Sequence, residues 1–350
     1  TESQSREVTF KVDGRSLRGR QGESLLEALR RYGYQVPSLC HHEAVSPYGA
    51  CRLCLVEVQK GKRRKLTTSC NYPLMEGIEV FLDTEQVVSN RRVVLQLLLA
   101  QAPAAERVRQ LAAEYGAKVM YDAAHVAGLI AGGQFQDPLR EGADVMTMST
   151  HKTIPGPQGG LIVSFNRFKE KIQRAIFPGN TSNTHLHHIA GKAIALAEIM
   201  AFGKKYASQI IKNAKALAQS LYERGFQVLG EKNGFTNSHQ VVIDVVKYGL
   251  GGDLERKLEQ ANIIVNRNIL PHDAKRGLHY TNPGGIRLGV QEVTRLKMGT
   301  SEMDYIAELM ERVIIKKENP EKVREDVIDF RSQYHEIGYC FDKVEDAYRY

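Results

Sequence analysis

Four cysteines in the first part of the chain have the spacing of ligands to one metal centre. They follow the pattern C-x10-C-x2-C-x15-C and are Cys40, Cys51, Cys54 and Cys70. Two cysteines at C-x2-C can point at one centre from a tight turn, and Gly49 just before them lets the backbone come close to it. Four thiolates suit zinc or an iron–sulfur cluster. Zinc ribbons prefer two C-x2-C pairs, whereas this chain has one, so the spacing favours [2Fe–2S] over zinc and over four structural cysteines.

A second group of reactive residues surrounds Lys152 in the segment STHKTIPGPQGG, residues 149–160. One predicted strand ends at Asp122, with His125 three residues later, and another predicted strand leads into Lys152. Strand ends that deliver side chains to one edge are how open α/β sheets build sites. Pyridoxal phosphate needs a lysine that is unprotonated part of the time and a carboxylate facing its pyridine nitrogen. Lys152 and Asp122 fit these roles, although the residues alone also fit a salt-bridged aspartate and a surface lysine.

The elements around the cysteines can be predicted from pattern and turn chemistry. Val8–Val12 and the segment around Ser16 predict a hairpin with Asp13-Gly14 as its turn. GESLLEALRRYG predicts a helix with its leucines on one face. The basic run 60–65, KGKRRK, predicts a solvated hairpin tip, with a docking patch for an acidic redox partner as the less ordinary alternative.

The wording around the cysteines resembles a known family. VPSLCHHEAVSPYGACRLCLVEV and TTSCNYPLMEGIEV resemble the [2Fe–2S] ferredoxin-like domain of complex I large subunits, molybdenum formate dehydrogenases and iron hydrogenases. The resemblance covers about residues 6–100. It implies a β-grasp fold, a [2Fe–2S] cluster on the four cysteines, loop N–H groups of residues 46–54 bonded to its sulfurs, and one-electron transfer to a redox partner or a larger oxidoreductase complex. His41 and His42 are then loop residues beside the cluster rather than Rieske-type ligands, and Cys340 is a structural or free thiol.

The second part resembles another family over about residues 117–342. YDAAHVAGLIAGGQFQDPLREGADVMTMSTHKTIPGPQGGLIVS, FPGNTSNTHLHHIAGKAIALAE, VNRNILPHD and NPGGIRLGV are similar to serine hydroxymethyltransferase of the archaeal type. The resemblance implies an aminotransferase-like, fold type I α/β structure and a homodimer. It also implies transfer of a one-carbon unit between serine and glycine with pyridoxal 5′-phosphate and tetrahydrofolate or a related pterin.

The same resemblance implies roles for individual residues. Lys152 would form the Schiff base, Asp122 would pair with the pyridinium nitrogen, and His125 would lie near the phenolic oxygen. Other residues would flank the lysine, bind the cofactor phosphate in their own or the partner subunit, clamp the substrate carboxylate or touch the pterin; in that order they are Thr150 and His151, Gly159 and Gly160, Arg287, and Asn268. His185, His187 and His188 have the composition of a metal site, but the resemblance makes them loop and helix-start residues.

The first half of that family's catalytic domain has no counterpart upstream of Ala117, where the ferredoxin-like segment stands instead. We therefore expect three regions: 1–116 with the cluster and a C-terminal helix, 117–192 as a partial pyridoxal-binding domain, and 193–350 as a small C-terminal domain. The strands of 117–192 would carry unpaired edges and bare apolar faces. Three interpretations follow: a junction of unrelated pieces with only the cluster site complete, a bifunctional enzyme that keeps hydroxymethyl transfer, and a redox domain with a non-catalytic interaction module.

Composition sharpens the division near Gly116. Residues 1–116 hold 13 Arg, 4 Lys and one isoleucine, whereas residues 117–350 hold 13 Arg, 18 Lys and 20 isoleucines. No fold demands such a shift, so the two parts have different sequence histories. The net charge of +8 is moderate and basic residues are not interleaved with aromatics, so we expect no nucleic-acid binding. We also expect no transmembrane helix and a cytoplasmic location.

Overall fold

The computed structural model describes residues 6–38, 41, 49, 51–99, 108–109, 112–113, 116–273 and 275–349. The chain divides into two compact units, Thr1–Val119 (unit 1) and Met120–Tyr350 (unit 2). Cys40, His42 and most of the loop before Cys51 lie outside the described residues. Among the residues that are described, no helix has both the length and the apolar character needed to cross a membrane.

Unit 1 is a five-stranded mixed sheet with a helix across it. Its strands are β1 (Glu7–Val12), β2 (Arg15–Arg20), β3 (Leu55–Lys60), β4 (Arg63–Thr68) and β5 (Glu79–Phe81), in the order β2-β1-β5-β3-β4. The pairs are antiparallel except for β1 with β5. Its helices are α1 (Leu25–Arg31) and α2 (Glu85–Leu99), and a short 3₁₀ helix spans Ser69–Asn71. This is the expected β-grasp architecture.

The predicted local elements of unit 1 are confirmed. Asp13 and Gly14 have φ of 45° and 83°, the left-handed values that a two-residue hairpin turn needs. Leu25, Leu26 and Leu29 of α1 are buried and join the alternating inward side chains of β1 and β3 in one apolar core. Helix α2 begins at Glu85, because the Thr84 hydroxyl accepts a hydrogen bond from the backbone N–H of Val87 at 3.2 Å and caps the first turn.

Unit 2 contains two sheets. The first is three-stranded, β6-β7-β8, with β6 (Met120–Asp122), β7 (Val145–His151) and β8 (Pro155–Ser164). Strands β6 and β7 are parallel, as the resemblance implies, but β8 returns antiparallel to β7. The second sheet is antiparallel, β11-β12-β10-β9, with β9 (Gln227–Val228), β10 (Gln240–Asp244), β11 (Asn266–Asn268) and β12 (Gly285–Gly289).

The helices of unit 2 surround these sheets. They are α3 (Ala127–Ala131), α4 (Lys169–Arg174), α5 (Leu186–Glu223), α6 (Gly251–Gln260), α7 (Gln291–Arg295), α8 (Thr300–Ile314), α9 (Pro320–Arg331) and α10 (Val344–Ala347). Short 3₁₀ helices span Asn166–Phe168 and Glu231–Asn233, and a kinked π-helical segment spans Ala175–Asn180.

One apolar core extends from Ala123 to Val323 through both sheets. The 38-residue helix α5 packs on α3, α8 and β8. Asn213 anchors its centre through hydrogen bonds from Nδ2 to Thr294 Oγ1 and the Met298 carbonyl, both 2.9 Å. The boundary expected at 192/193 falls inside this continuous helix, so the division of residues 117–350 into two domains stays a prediction.

Candidate functional site

The hairpin β3–β4 brings two of the four cysteines to the same end of the sheet. Cys54 immediately precedes β3 and Cys70 lies two residues after β4, and Leu55 pairs directly with Thr68 across the hairpin. Both cysteines are buried, at 0% and 1% exposure, whereas Cys51 is half-buried. The cysteines that the structure describes are Cys51, Cys54, Cys70 and Cys340, and none of them forms a disulfide.

The backbone around these cysteines is fixed by serine hydroxyls. Ser69 donates from its backbone N–H and from Oγ to the Cys54 carbonyl, at 2.9 and 2.8 Å. Ser24, just before α1, donates from Oγ to the Cys70 carbonyl at 2.9 Å. The start of helix α1 is thereby attached to the segment that carries the last cysteine.

Gly49 lies close to the Thr68–Asn71 turn, and its expected role of letting the backbone approach a metal centre stays a prediction. Its φ is 71°, and a Cβ there would lie 2.9 Å from Asn71 Nδ2 and 3.1 Å from Thr68 Oγ1. The residue therefore needs to be glycine because the loop passes against the Thr68–Asn71 turn.

The thiol set fits an iron–sulfur cluster by its donor chemistry. Buried soft thiols on adjacent segments, with a C-x2-C pair, are what such clusters use. In the described part of the chain, no three His, Cys, Asp or Glu side chains are already arranged around one metal position, and the expected fourth ligand, Cys40, lies outside the described residues. His41 is described: its Nε2 lies 3.9 Å from Glu27 Oε1, and its buried Nδ1 has no hydrogen-bond partner among the described residues.

The basic tip is at the wrong end of the hairpin to serve the cluster directly. Lys60, Lys62 and Arg63 surround the turn between β3 and β4, six residues along β3 from Cys54. At about 3.4 Å per residue the tip is about 20 Å from the cysteine. The solvated-tip interpretation is therefore the better one.

In unit 2 the parallel pair β6–β7 brings Asp122, His125 and Lys152 to one edge. Asp122 ends β6, and Lys152 directly follows β7. Lys152 Nζ lies 3.3 Å from His125 Nε2. Asp122 is exposed, and its Oδ1 accepts a hydrogen bond from the backbone N–H of Ala124 at 2.9 Å.

His125 is held in place from behind by Thr153. The Thr153 hydroxyl donates to the His125 carbonyl at 2.9 Å and accepts from the backbone N–H of Gly128 at 3.0 Å. A Cβ on Gly128 would lie 2.1 Å from the Thr153 carbonyl oxygen, so only glycine lets α3 pack this closely. The lysine loop and the histidine turn are thereby connected.

Two further residues, which the sequence patterns did not predict, contact the ring of His125. His239 is 2% exposed and stacks on His125, with ring centroids 5.7 Å apart and planes 16° apart. Gln240 Nε2 lies 3.1 Å from His125 Nδ1. Both residues are at the start of β10, whose Val242 pairs with Arg287 of β12. Their only sequence signal is the polar segment TNSHQ before an apolar strand, more than 110 residues from His125.

Burial and positive charge keep both histidines neutral. Burial, followed by the charges of Lys152 and Arg287, lowers the pKa of His125, with Asp122 acting weakly in the opposite direction. For His239, burial is again the largest cause, followed by His125 and the same two cations, and its pKa is lowered to about 4. The His239 Nδ1 atom is buried and has no hydrogen-bond partner within the described residues.

The residues flanking the lysine are already engaged. Thr150 is buried and its hydroxyl donates to the Pro157 carbonyl at 2.8 Å. Gly159 N–H points at His151 Nδ1, 3.4 Å away, and Gly160 pairs with Ser149 across the β7–β8 ladder. To donate to a phosphate, the two glycines would have to break or share these existing interactions. Their expected role therefore stays a prediction.

Arg287 and Asn268 lie on neighbouring strands of the second sheet. Arg287 is half-buried and pairs with Asn266 of β11. Its positive charge helps to lower the pKa of both His125 and His239, so it acts electrostatically on the lysine site. Asn268 donates from Nδ2 to the Ile269 carbonyl at 2.9 Å.

The residues present fit one side of a pyridoxal phosphate site. A lysine, a neutral histidine, a carboxylate at a strand end and an arginine surround the same region, and the buried Nδ1 of His239 has no partner there among the described residues. His185, His187 and His188 form a separate group at the start of α5, with ring centroids 4.5 to 5.6 Å apart.

Comparisons with known proteins match the two units to two families. A family model for a 2Fe-2S iron-sulfur cluster binding domain matches residues 5–85, and a model for serine hydroxymethyltransferase matches residues 98–310. Serine hydroxymethyltransferases of Cenarchaeum symbiosum and Nitrosopumilus maritimus are 58% and 55% identical over 67% of this chain, but the match spans only 53% and 54% of those proteins.

A solved structure shows the same partial match. The L-threonine transaldolase of Pseudomonas fluorescens aligns with a TM-score of 0.61 and 33% identity over 68% of this chain and 54% of its own. The chain thus spans about half the length of the relatives that it matches. Residues 5–85 match a 2Fe-2S iron-sulfur cluster binding domain. Because the serine hydroxymethyltransferase model matches more than half of the chain, the chain belongs to that family.

Proposed function

We propose that unit 1 binds a [2Fe–2S] cluster through Cys40, Cys51, Cys54 and Cys70 and carries single electrons. We further propose that unit 2 is a portion of a hydroxymethyltransferase whose pyridoxal site is incomplete. The observation that carries the first part is the pairing of Leu55 with Thr68, which brings the buried Cys54 and Cys70 to one end of a hairpin.

The residues of unit 1 would keep the cluster dry and its ligands in place. The cluster supplies a one-electron couple when bound. Cys54 and Cys70 are inaccessible to water, and Ser69 and Ser24 hold the carbonyl groups of these two residues. A rigid ligand shell means little movement when the charge changes, which suits electron transfer to a redox partner or within a larger oxidoreductase complex.

Anaerobic reconstitution of the whole chain with iron and sulfide tests this proposal. We expect the visible absorbance of a [2Fe–2S] centre. After one-electron reduction we expect an electron paramagnetic resonance signal. The matched control is Cys340→Ser, because the Cys340 thiol donates to the Ile337 carbonyl at 3.2 Å in unit 2 and is no ligand in this proposal. Absence of a cluster in the wild-type chain would overturn the proposal.

In unit 2, Lys152 would hold pyridoxal phosphate, with Asp122 and His125 beside its ring. When bound, the cofactor supplies an electron sink for charge at the substrate α-carbon. His125 lies 3.3 Å from Lys152. As a neutral ring it would orient the lysine amine without adding a second positive charge beside it. Arg287 would bind the carboxylate of serine or glycine through its planar fork, and Asn268 would contact tetrahydrofolate or a related pterin.

The incompleteness of this site is inferred from what replaces the missing half. Relatives of unit 2 extend over nearly twice the matched length, and in this chain the preceding residues match a cluster-binding domain instead. The three-stranded sheet also leaves Ile162, Val163 and Phe165 more than a third exposed. Together with the composition shift near Gly116, these features favour a junction of two parts with different histories.

A bifunctional enzyme is the second candidate, favoured by the intact grouping of Lys152, His125 and Arg287. Formation of glycine from serine with added pyridoxal phosphate and tetrahydrofolate separates the candidates. We expect the wild-type chain to match the Lys152→Ala variant at background. Turnover by the wild-type chain that is lost in Lys152→Ala would favour the bifunctional enzyme and overturn the incomplete site.

Partners and location are inferred on the same basis. The exposed apolar side chains of unit 2, such as Phe177 and Leu186 at 61% and 77%, fit burial in a homodimer. Thiols that stay reduced fit a cytoplasmic protein. The third interpretation makes unit 2 a non-catalytic interaction module for the redox unit.

A further inference from the structure

A buried arginine of unit 1 lies beside the cysteine site and has no part in the function proposed above. Arg91 is on α2, and its side chain is only 13% exposed. Its Nε donates to the Leu55 carbonyl at 2.9 Å, and its Nη1 donates to Asp83 Oδ1 at 3.3 Å. Leu55 directly follows Cys54, so the guanidinium is held against the backbone next to a predicted cluster ligand.

One edge of this guanidinium has no acceptor among the residues that the structure describes. Nη2 is buried and makes no hydrogen bond to any described residue. An unpaired buried donor costs about 1–3 kcal/mol, and more when it is charged. A charged donor in such a place is available to an acceptor at the cysteine site.

The hydrogen bond from Arg91 Nε to the Leu55 carbonyl holds the guanidinium next to the residue that follows Cys54. Burial lowers the pKa of Arg91, while the negative charges of Asp83 and of the Cys54 thiolate raise it. Arginine stays protonated in proteins in any case. Asp83 is 79% exposed and largely solvated, so it neutralises the positive charge of the guanidinium only in part.

We propose that Arg91 raises the reduction potential of the [2Fe–2S] cluster by placing a fixed positive charge and one free N–H donor beside Cys54. Reduction by an external one-electron donor adds one negative charge to the cluster and its four thiolates, with no proton required. A nearby positive charge and a donated hydrogen bond both stabilise that added charge, and these are the known means by which proteins tune such clusters. This inference rests on cluster binding by unit 1.

A neighbouring residue offers a matched control. Arg92 follows Arg91 on α2 but is exposed. Arg92→Gln removes the same formal charge as Arg91→Gln, but from a solvated position where ions screen it. The difference between the two variants therefore isolates the buried position from the net charge of the chain.

The test is a redox titration of reconstituted full-length chain, followed by the paramagnetic resonance signal of the reduced cluster. We expect Arg91→Gln to lower the ratio of reduced to oxidised cluster at a fixed potential by roughly threefold to tenfold, which is about 28 to 59 mV for a one-electron couple. We expect Arg92→Gln to leave the ratio within about 1.5-fold of the wild type. An unchanged midpoint in Arg91→Gln with normal cluster content would overturn the inference, as would equal shifts in both variants.

A second variant keeps the inference testable if Arg91→Gln assembles no cluster. Asp83→Asn removes the exposed partner of Arg91, leaves the guanidinium less neutralised, and should raise the reduced-to-oxidised ratio by about twofold. A ratio that falls or stays unchanged in Asp83→Asn would count against a charge effect. A wild-type chain without any cluster would instead be a failure of the proposed function, which keeps the two failures distinct.

Discussion

The two units differ in how far apart in sequence their functional residues lie. In unit 1 every expected ligand falls between Cys40 and Cys70, and one hairpin brings Cys54 and Cys70 to the same end of the sheet. In unit 2 the lysine site draws on β6, β7, β10 and β12, from Asp122 to Arg287. A local site is complete within its own segment, whereas a site assembled from distant strands is complete only when all of those strands are present.

The same contrast holds for packing. Unit 1 closes its own core between the sheet and α1. Unit 2 has a larger core around α5, but its three-stranded sheet leaves Met120 66% exposed and Ile162 39% exposed. The apolar face and edges expected for this sheet are therefore present.

The largest effect on the difference between the two units is expected from Cys54→Ser. Cys54 is fully buried at the end of the hairpin, and a hydroxyl is a poor ligand for iron compared with a thiolate. We expect complete loss of the cluster absorbance after reconstitution, while unit 2 unfolds with an unchanged midpoint. A Cys54→Ser chain with wild-type absorbance would remove Cys54 from the ligand set.

A cavity in the core of unit 2 tests whether the units are independent. Ile210 on α5 is fully buried, so Ile210→Ala should lower the free energy of unfolding of unit 2 by roughly 2–5 kcal/mol. The cluster spectrum should be unchanged, since unit 1 has a separate core. Denaturant unfolding followed by circular dichroism and by visible absorbance measures both, with exposed Lys212→Ala as the control; loss of the cluster in Ile210→Ala would argue against independence.

Acid should weaken unit 2 through His239. Its pKa is lowered from 6.5 to about 4 in the folded chain, so between these pH values the unfolded state binds more protons and stability rises with pH. The contribution is at most about 3 kcal/mol. His239→Gln should flatten the dependence over pH 4 to 6.5 relative to exposed His335→Gln, and parallel stability curves for the two variants would contradict the lowered pKa.

The smallest effect on stability is expected at the exposed strand β8. Val163 is 37% exposed, and Val163→Lys should change the free energy of unfolding by no more than about 0.5 kcal/mol. A charge on an exposed strand opposes edge-to-edge pairing, so light scattering should show aggregation starting at a higher protein concentration. Val163→Thr keeps the branched shape without charge and should behave like the wild type; equal scattering from all three would mean that this surface does not drive association.

Local features of the fold could be predicted from the sequence. The Asp13-Gly14 turn, the leucine face of α1 and the strands leading to Asp122 and Lys152 depend on neighbouring residues, and the structure has all of them. The start of α2 was also readable, because Thr84 and Glu85 form an N-terminal capping signal. The antiparallel return of β8 follows from the three-residue connection after His151, which is too short for a parallel crossover.

Long-range features of the site could not be predicted in the same way. The stacking of His239 on His125 and the contact of Gln240 with the same ring join segments more than 110 residues apart. The burial of Arg91 depends on the angle at which α2 crosses β3, which no local pattern specifies. The engagement of Thr150 by Pro157 depends on the fold of the lysine loop.

The cofactor content of one reconstituted sample tests the central claim most directly. The full-length chain is incubated anaerobically with iron, sulfide and pyridoxal phosphate, desalted, and assayed for all three. A complete cluster site beside an incomplete pyridoxal site predicts about two irons and two sulfides per chain, with pyridoxal phosphate well below one per chain and no greater than in Lys152→Ala. One retained pyridoxal phosphate per chain that depends on Lys152, or a chain without iron, would contradict the account.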